Sequence, residues 1–220
     1  MAVASGINLG LARGLAVAIG AVLLAMPSAR ATTTSVTRTV APFSSVRLDG
    51  RFILDVTTAP HVSVRLTGDR YLIDNLQIGV SQGVLSIVRP QEFDLPKDVT
   101  VTIAITAPAL TGVDLRGLIH ASLTGLTGPK FTFINNGAAA ATLSGKVGTF
   151  KLVSRGVTSI EARALHAATV TMMVRGKGYL RVFASQKAMI TMYGEGEVDV
   201  YGHPPIHQFK TLAYGVVTLK

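Results

Sequence analysis

No cysteine occurs anywhere in this chain, so disulfide staples are excluded and stability must come from core burial and backbone ladders. The lipid-modified kind of bacterial export signal needs a cysteine after its apolar run, and is excluded with it. Histidines are few and scattered. Only His203 and His207 lie close together, and the Pro204-Pro205 spacer prevents the helical arrangement that usually places two imidazoles on one ion. No glycine-rich phosphate loop follows a strand and opens a helix, and no serine sits in a nucleophile elbow. The residues therefore predict no metal, no cofactor and no catalytic constellation.

Acidic residues are scarce as well. Lys and Arg number 21 against 12 Asp and Glu, a formal net charge of +9. Such a balance favours anionic surfaces such as membrane headgroups, acidic glycans or nucleic acid, without choosing among them. Long apolar runs are missing too. The one amino-terminal run, Gly14 to Met26 after Arg13, falls short of the roughly 20 residues that cross a bilayer. Ala29-Arg30-Ala31 places small residues where a signal peptidase reads them, so residues 1–31 read as a secretory signal cleaved after Ala31. Removing them takes away Arg13 and Arg30 and no acid, which leaves +7 and no transmembrane span in the mature chain.

What the chain has in abundance is glycine at regular intervals. Gly117, Gly137, Gly156, Gly176, Gly194 and Gly215 are spaced 20, 19, 20, 18 and 21 residues apart, and a period near twenty means stacked repeats. Around each glycine, apolar residues alternate with others, the period of a strand with one buried face. Four before each glycine stand Val113, Phe133, Leu152, Met172, Ile190 and Thr211; four after stand Ala121, Ala141, Ile160, Leu180, Val198 and Leu219. One phase thus points inward throughout, and the glycines fall in it, as structural residues that let the backbone bend or approach the opposite wall. Segments such as Gly125-Leu126-Thr127-Gly128-Pro129 and Gly145-Lys146-Val147-Gly148 read as turns, giving two strands and two turns per rung.

Ahead of this array, residues 32–39 read as a flexible lead and residues 40–109 as a β-rich flank. Val46 to Val56 alternates around Gly50 as a first, outlying copy of the repeat; Asp69 to Leu76 forms a helical turn; Leu76–Val80 and Val84–Val88 form a hairpin; Arg89 to Lys97 is a loop. Val99 to Ile105 alternates again, and the regular solenoid runs over residues 110–220.

Phe43-Ser44-Ser45-Val46 with Gly50, the Gly83-Val84-Leu85-Ser86-Ile87 strand, the pairs Gly176-Lys177-Gly178 and Gly194-Glu195-Gly196, and Gly202 with Pro204 together resemble the GIN-domain family of auto-transporter adhesin heads, over roughly residues 40–220. The resemblance implies an exported bacterial protein with a right-handed parallel β-helical body. Its members are called adhesins by analogy, and no catalytic residues come with the motif.

Two outward columns hold the candidate sites. One residue before each glycine stand Arg116, Asn136, Arg155, Arg175, Tyr193 and Tyr214. Guanidinium groups bind carboxylate, sulfate and phosphate in a planar fork, and tyrosines stack on sugar rings, so Arg116, Arg155, Arg175, Tyr193 and Tyr214 form the candidate ligand patch. The competing reading is a solvated basic face whose side chains splay apart. On the other strand, Glu195, Glu197 and Asp199 suggest a calcium site, but Lys177, Tyr179 and Arg181 stand beside them in register. Glu161, Arg181, Asp199 and Lys220 alternate in sign over four rungs, which reads as a charge ladder. A third column, Asp114, Ile134, Val153, Met173, Thr191 and Leu212, is largely apolar although outward, and predicts a cover, from the amino-terminal strands or from a second copy in a homodimer.

The sequence therefore predicts an all-β protein, a right-handed parallel β-helix of about 20 residues per rung with a β-rich flank. It is expected to act as an exported, non-enzymatic binding module for acidic glycans or another cell-envelope component, with no nucleic-acid partner. Rival readings are a β-helical polysaccharide lyase or hydrolase, and an outer-membrane barrel, whose outward faces would be consistently apolar.

Overall fold

The computed structural model describes residues 33–90 and 100–220. The signal segment and most of the Arg89–Lys97 loop lie outside the described residues. The strands are β1 (Thr33–Arg38), β2 (Ser45–Thr58), β3 (Ser63–Asp69), then helix α1 (Arg70–Asp74), β4 (Gln77–Ser81), β5 (Val84–Val88), β6 (Val101–Ala107), β7 (Gly112–Asn135), β8 (Ala138–Ser154), β9 (Val157–Val174), β10 (Lys177–Met192), β11 (Glu195–Tyr201), β12 (Ile206–Thr211) and β13 (Gly215–Leu219).

Alternation builds the long strands. From β2 through β7, β8, β9, β10 and β11 to β13 every ladder is parallel, forming a β-solenoid of about 5 turns and about 20 residues per turn. The inward columns are buried as the period requires: Phe131, Phe133, Phe150, Leu152, Val170 and Ile190 are all within 1% of full burial, and Phe131 stacks on Phe150 with centroids 6.3 Å apart. Each such phenylalanine contributes about 1.5–3 kcal/mol by leaving water.

The solenoid begins earlier than residue 110. β2 pairs with β7 from Ser45↔Gly112 to Thr57↔Thr124, with Gly50 beside Gly117, so β2 is the first rung and residues 59–111 are an excursion between rungs. β5 and β6 line the outer side of β2 in parallel, one on each half. Antiparallel β4 on β5, β3 on β6 and β1 on β3 then close that end. Residues 33–38, expected as a flexible lead, are therefore a strand, held by pairing with β3. The helical turn is present: the Asp69 carboxylate accepts from the backbone N–H of Tyr71 and Leu72, which caps α1, and Leu72 and Ile73 are buried beneath it.

Three further readings are corrected. Residues 126–128, 145–147 and 165–167, expected within turns or left unassigned, form a third short parallel ladder across β7, β8 and β9, because Leu126, Val147, Leu165 and Ala167 bury their side chains there. The glycines lie at corners and are not enclosed in the core. Their close approach is to the preceding rung instead of the opposite wall: a Cβ on Gly137, Gly156, Gly176 or Gly194 would overlap the carbonyl oxygen of the glycine below. Finally, the last rung is shifted by two residues. Gly215 pairs with Gly196, not with Gly194, because this register sets Phe209 on Ile190 and Val217 on Val198, where the glycine count would have set Thr211 on Ile190.

Candidate functional site

Each glycine corner divides its rung into a strand before it and a strand after it, and stacking turns these into two outer walls. Register places Arg116, Asn136, Arg155, Arg175 and Tyr193 in one column of the pre-glycine wall, as predicted; the backbone N–H groups of Asn136, Arg155, Arg175, Tyr193 and Leu212 each donate to the rung below. Leu212 continues the column. Tyr214 does not belong to it, since the shifted last rung carries it to the other wall, beside Glu195.

The column's cations behave unequally. Asp114 takes Arg47 at 3.2 Å and Arg116 at 3.3 Å, and accepts from Asn136 Nδ2 at 3.1 Å. Arg155 turns toward that end and donates to Asn136 Oδ1 at 3.0 Å. Arg175 turns the opposite way and lies over the Tyr193 ring, 5.1 Å from its centroid. The two guanidinium groups thus splay apart, which relieves their repulsion, and neither has a carboxylate partner among the described residues.

Sequence reasoning missed the rest of this wall. Lys130, Lys151, Lys187 and Lys210 stand on the same ladder at odd offsets from their glycines; that outward parity was the available signal. With Arg47, Arg116, Arg155 and Arg175 they face, among the described residues, only Asp49 and Asp114 as acids. Between the rows run Ile134, Val153 and Met173. Among the described residues the expected intrachain cover is not there, because the amino-terminal strands extend the stack from β2; Ile134 and Val153 are half-buried and Met173 is 37% exposed.

Among the described residues the post-glycine wall is balanced, with Arg51, Arg163, Lys177, Arg181 and Lys220 against Asp55, Glu161, Glu195, Glu197 and Asp199. Its charge ladder is present. Lys177 Nζ meets Glu195 at 3.1 Å, and Arg181 lies between Glu161 at 3.5 Å and Asp199 at 3.9 Å. In the last rung Thr218 occupies the column, and Lys220 reaches across to Asp199 at 3.7 Å. Burial opposes ionisation of Glu161, but hydrogen bonds from Arg163 and Arg181 outweigh it and hold the carboxyl below its usual range. Its contribution to stability is therefore present above the unfolded carboxyl's pKa and is lost as pH falls through the lowered folded value. A double-mutant cycle on Arg181→Gln and Asp199→Asn should give a coupling of about 0.2–1 kcal/mol in urea unfolding. Strict additivity would remove the ladder from the account of register.

A polar network supports the corner between the walls. Buried Asn135 donates through Nδ2 to Thr158 Oγ1 at 2.7 Å and to the Gly137 carbonyl at 3.1 Å, and its Oδ1 accepts from Gly137 N–H at 3.0 Å. Ser154 hydrogen-bonds Thr158. Asn135 Nδ2 also donates to Ser154 Oγ at 3.4 Å and to the Val157 carbonyl at 3.1 Å, so both buried side chains are satisfied by each other and by the backbone.

Comparisons with known proteins agree with this architecture. The family described as "Putative auto-transporter adhesin, head GIN domain" matches residues 42–204. A solved "putative adhesin" from Bacteroides fragilis is 20% identical, covers 86% of this chain and 96% of its own, and superposes with a TM-score of 0.69, a likeness of fold. Another, from Parabacteroides merdae, is 12% identical over 86% of this chain and 96% of its own, with a TM-score of 0.49. No curated protein sequence matches.

Proposed function

Because this chain belongs to the GIN-domain family of auto-transporter adhesin heads, we propose that it is an exported, non-enzymatic binding module whose pre-glycine wall takes an acidic glycan or another anionic component of a cell envelope. The observation that carries this reading is the segregation of charge. Among the described residues, eight cationic side chains share that wall with two carboxylates, while the post-glycine wall is nearly neutral. A flat field of one sign raises the local concentration of anionic partners. Arg155 and Arg175, with no carboxylate to neutralise them, keep donor positions for sulfate or carboxylate groups. The half-exposed stripe of Ile134, Val153 and Met173 adds apolar contact between the cationic rows. Like charge across a self-association weighs against a second copy on this wall.

The test is binding of the purified chain to an array of acidic and neutral glycans at low and moderate salt, with product analysis of every bound species. Retention of intact acidic glycans that weakens as salt rises is the expected result. Cleaved products would favour a polysaccharide-active enzyme. Indifference of acidic-glycan binding to salt would reject the charged wall as the binding surface.

A further inference from the structure

The post-glycine wall carries a feature that its charge ladder does not explain. Tyr179 is 60% exposed and Tyr214 is 89% exposed, although a tyrosine on a charged wall loses little by lying flat on its neighbours. Two shallow grooves meet along the row of Tyr179 and Glu197. One, of about 210 Å³, is lined by Ser159, Glu161, Arg181 and Asp199. The other, of about 500 Å³, is lined by Glu195, Val216 and Tyr214. Gly196 contributes backbone to the lining of the second groove.

Within the first groove lies an unmet hydrogen-bond acceptor. Asp199 is only 7% exposed, and its Oδ1 receives no hydrogen bond. Its cationic neighbours stand off, Lys220 at 3.7 Å from Oδ1 and Arg181 at 3.9 Å from Oδ2. A buried carboxylate oxygen left without a donor is costly, and a ligand hydroxyl would supply what it lacks.

From these observations we propose that the two grooves form a second binding site, for an uncharged oligosaccharide, on the wall adjoining the basic one. A neutral ligand is selected because the acids of the first groove are largely matched by Arg181, Arg163 and Lys220, so an ion of either sign would be repelled by a like charge. One hydroxyl donates to the Asp199 carboxylate, and an adjacent one accepts from the Arg181 guanidinium, as vicinal hydroxyls of a pyranose can do together. The apolar C–H face of that sugar lies on Tyr179. Tyr214 is two rungs further along and two residues offset, about 12 Å away by strand spacing and rise, and serves a second sugar unit. Glu197, between the two rings and without an ion pair among the described residues, accepts from the intervening hydroxyls.

The experiment is affinity electrophoresis of the full chain through gels containing glucomannan, laminarin or mannan, at low and moderate salt. Retardation by at least one of them, unchanged by salt, is expected. Tyr179→Ala and Tyr214→Ala, both on exposed side chains, should each weaken it by about tenfold or more, and Asp199→Asn should weaken it with the circular dichroism spectrum retained. Arg155→Ser with Arg175→Ser should leave it intact, which separates this site from the anionic one. Absence of retardation in all three gels, retardation abolished by salt, or retardation indifferent to both tyrosine substitutions would overturn the proposal.

Discussion

Gly156→Val should lower stability by about 3 kcal/mol or more, among the larger effects a single substitution produces. Gly156 sits at the corner between β8 and β9, and a Cβ there would overlap the carbonyl oxygen of Gly137 on the rung below. The rung cannot move aside cheaply. That oxygen accepts from Val157 N–H at 2.9 Å and from Asn135 Nδ2 at 3.1 Å, so displacing it strands a buried amide and disturbs Thr158 and Ser154 as well. Gly79→Val is the matched control, since a Cβ on Gly79 meets nothing within 4 Å, and its effect should stay within about 0.5 kcal/mol. For a chain of this size the difference corresponds to roughly 6–12 °C in Tm, read by circular dichroism. Equal melting of the two variants would show that the glycine column is not a close contact.

Replacing Arg155 and Arg175 together by serine should weaken binding to an acidic glycan by about a hundredfold at low salt. Each guanidinium offers charge-assisted hydrogen bonds worth roughly 1.5–3 kcal/mol where an anion meets it, and tenfold in affinity is about 1.4 kcal/mol. Neither side chain supports the fold strongly. Arg155 bonds one neutral amide and Arg175 covers one exposed ring, so stability should change little. The salt dependence of binding should also become shallower, because fewer fixed charges attract the ligand. Lys146→Ser, on the third ladder and off this wall, should leave affinity nearly unchanged. If the double variant binds as the parent does, the anionic ligand is not held by this column.

The strands and their facing were legible because a buried face writes a period of two, and the rungs because stacking writes a period near twenty. Gly50 with Val46 to Val56 could be recognised as a copy of the repeat, even though 67 residues separate Gly50 from Gly117. The glycine count failed at its end. Gly215 matched Gly194 by spacing, yet the contacts of Phe209 with Ile190 and Val217 with Val198 set the register, and Tyr214 changed walls as a result. The third ladder was hidden for a related reason: residues 126–128, 145–147 and 165–167 are too short to display a period, and only their burial identifies them.

Composition and periodicity alone thus determined an all-β stack of about twenty residues per turn, its inward columns, the alternating charges from Glu161 to Asp199 and an excess of positive charge. They could not say where the amino-terminal strands go, because strand pairing is a non-local choice among several apolar faces, made by β5 and β6 lying against β2. Nor could they apportion the charge. Its gathering on one wall, and the meeting of Tyr179, Glu197 and Tyr214 on the other, depend on which residues lie above one another after the corners are turned. Two residues gained or lost at a corner preserve every buried face while moving each outward side chain to a new neighbour.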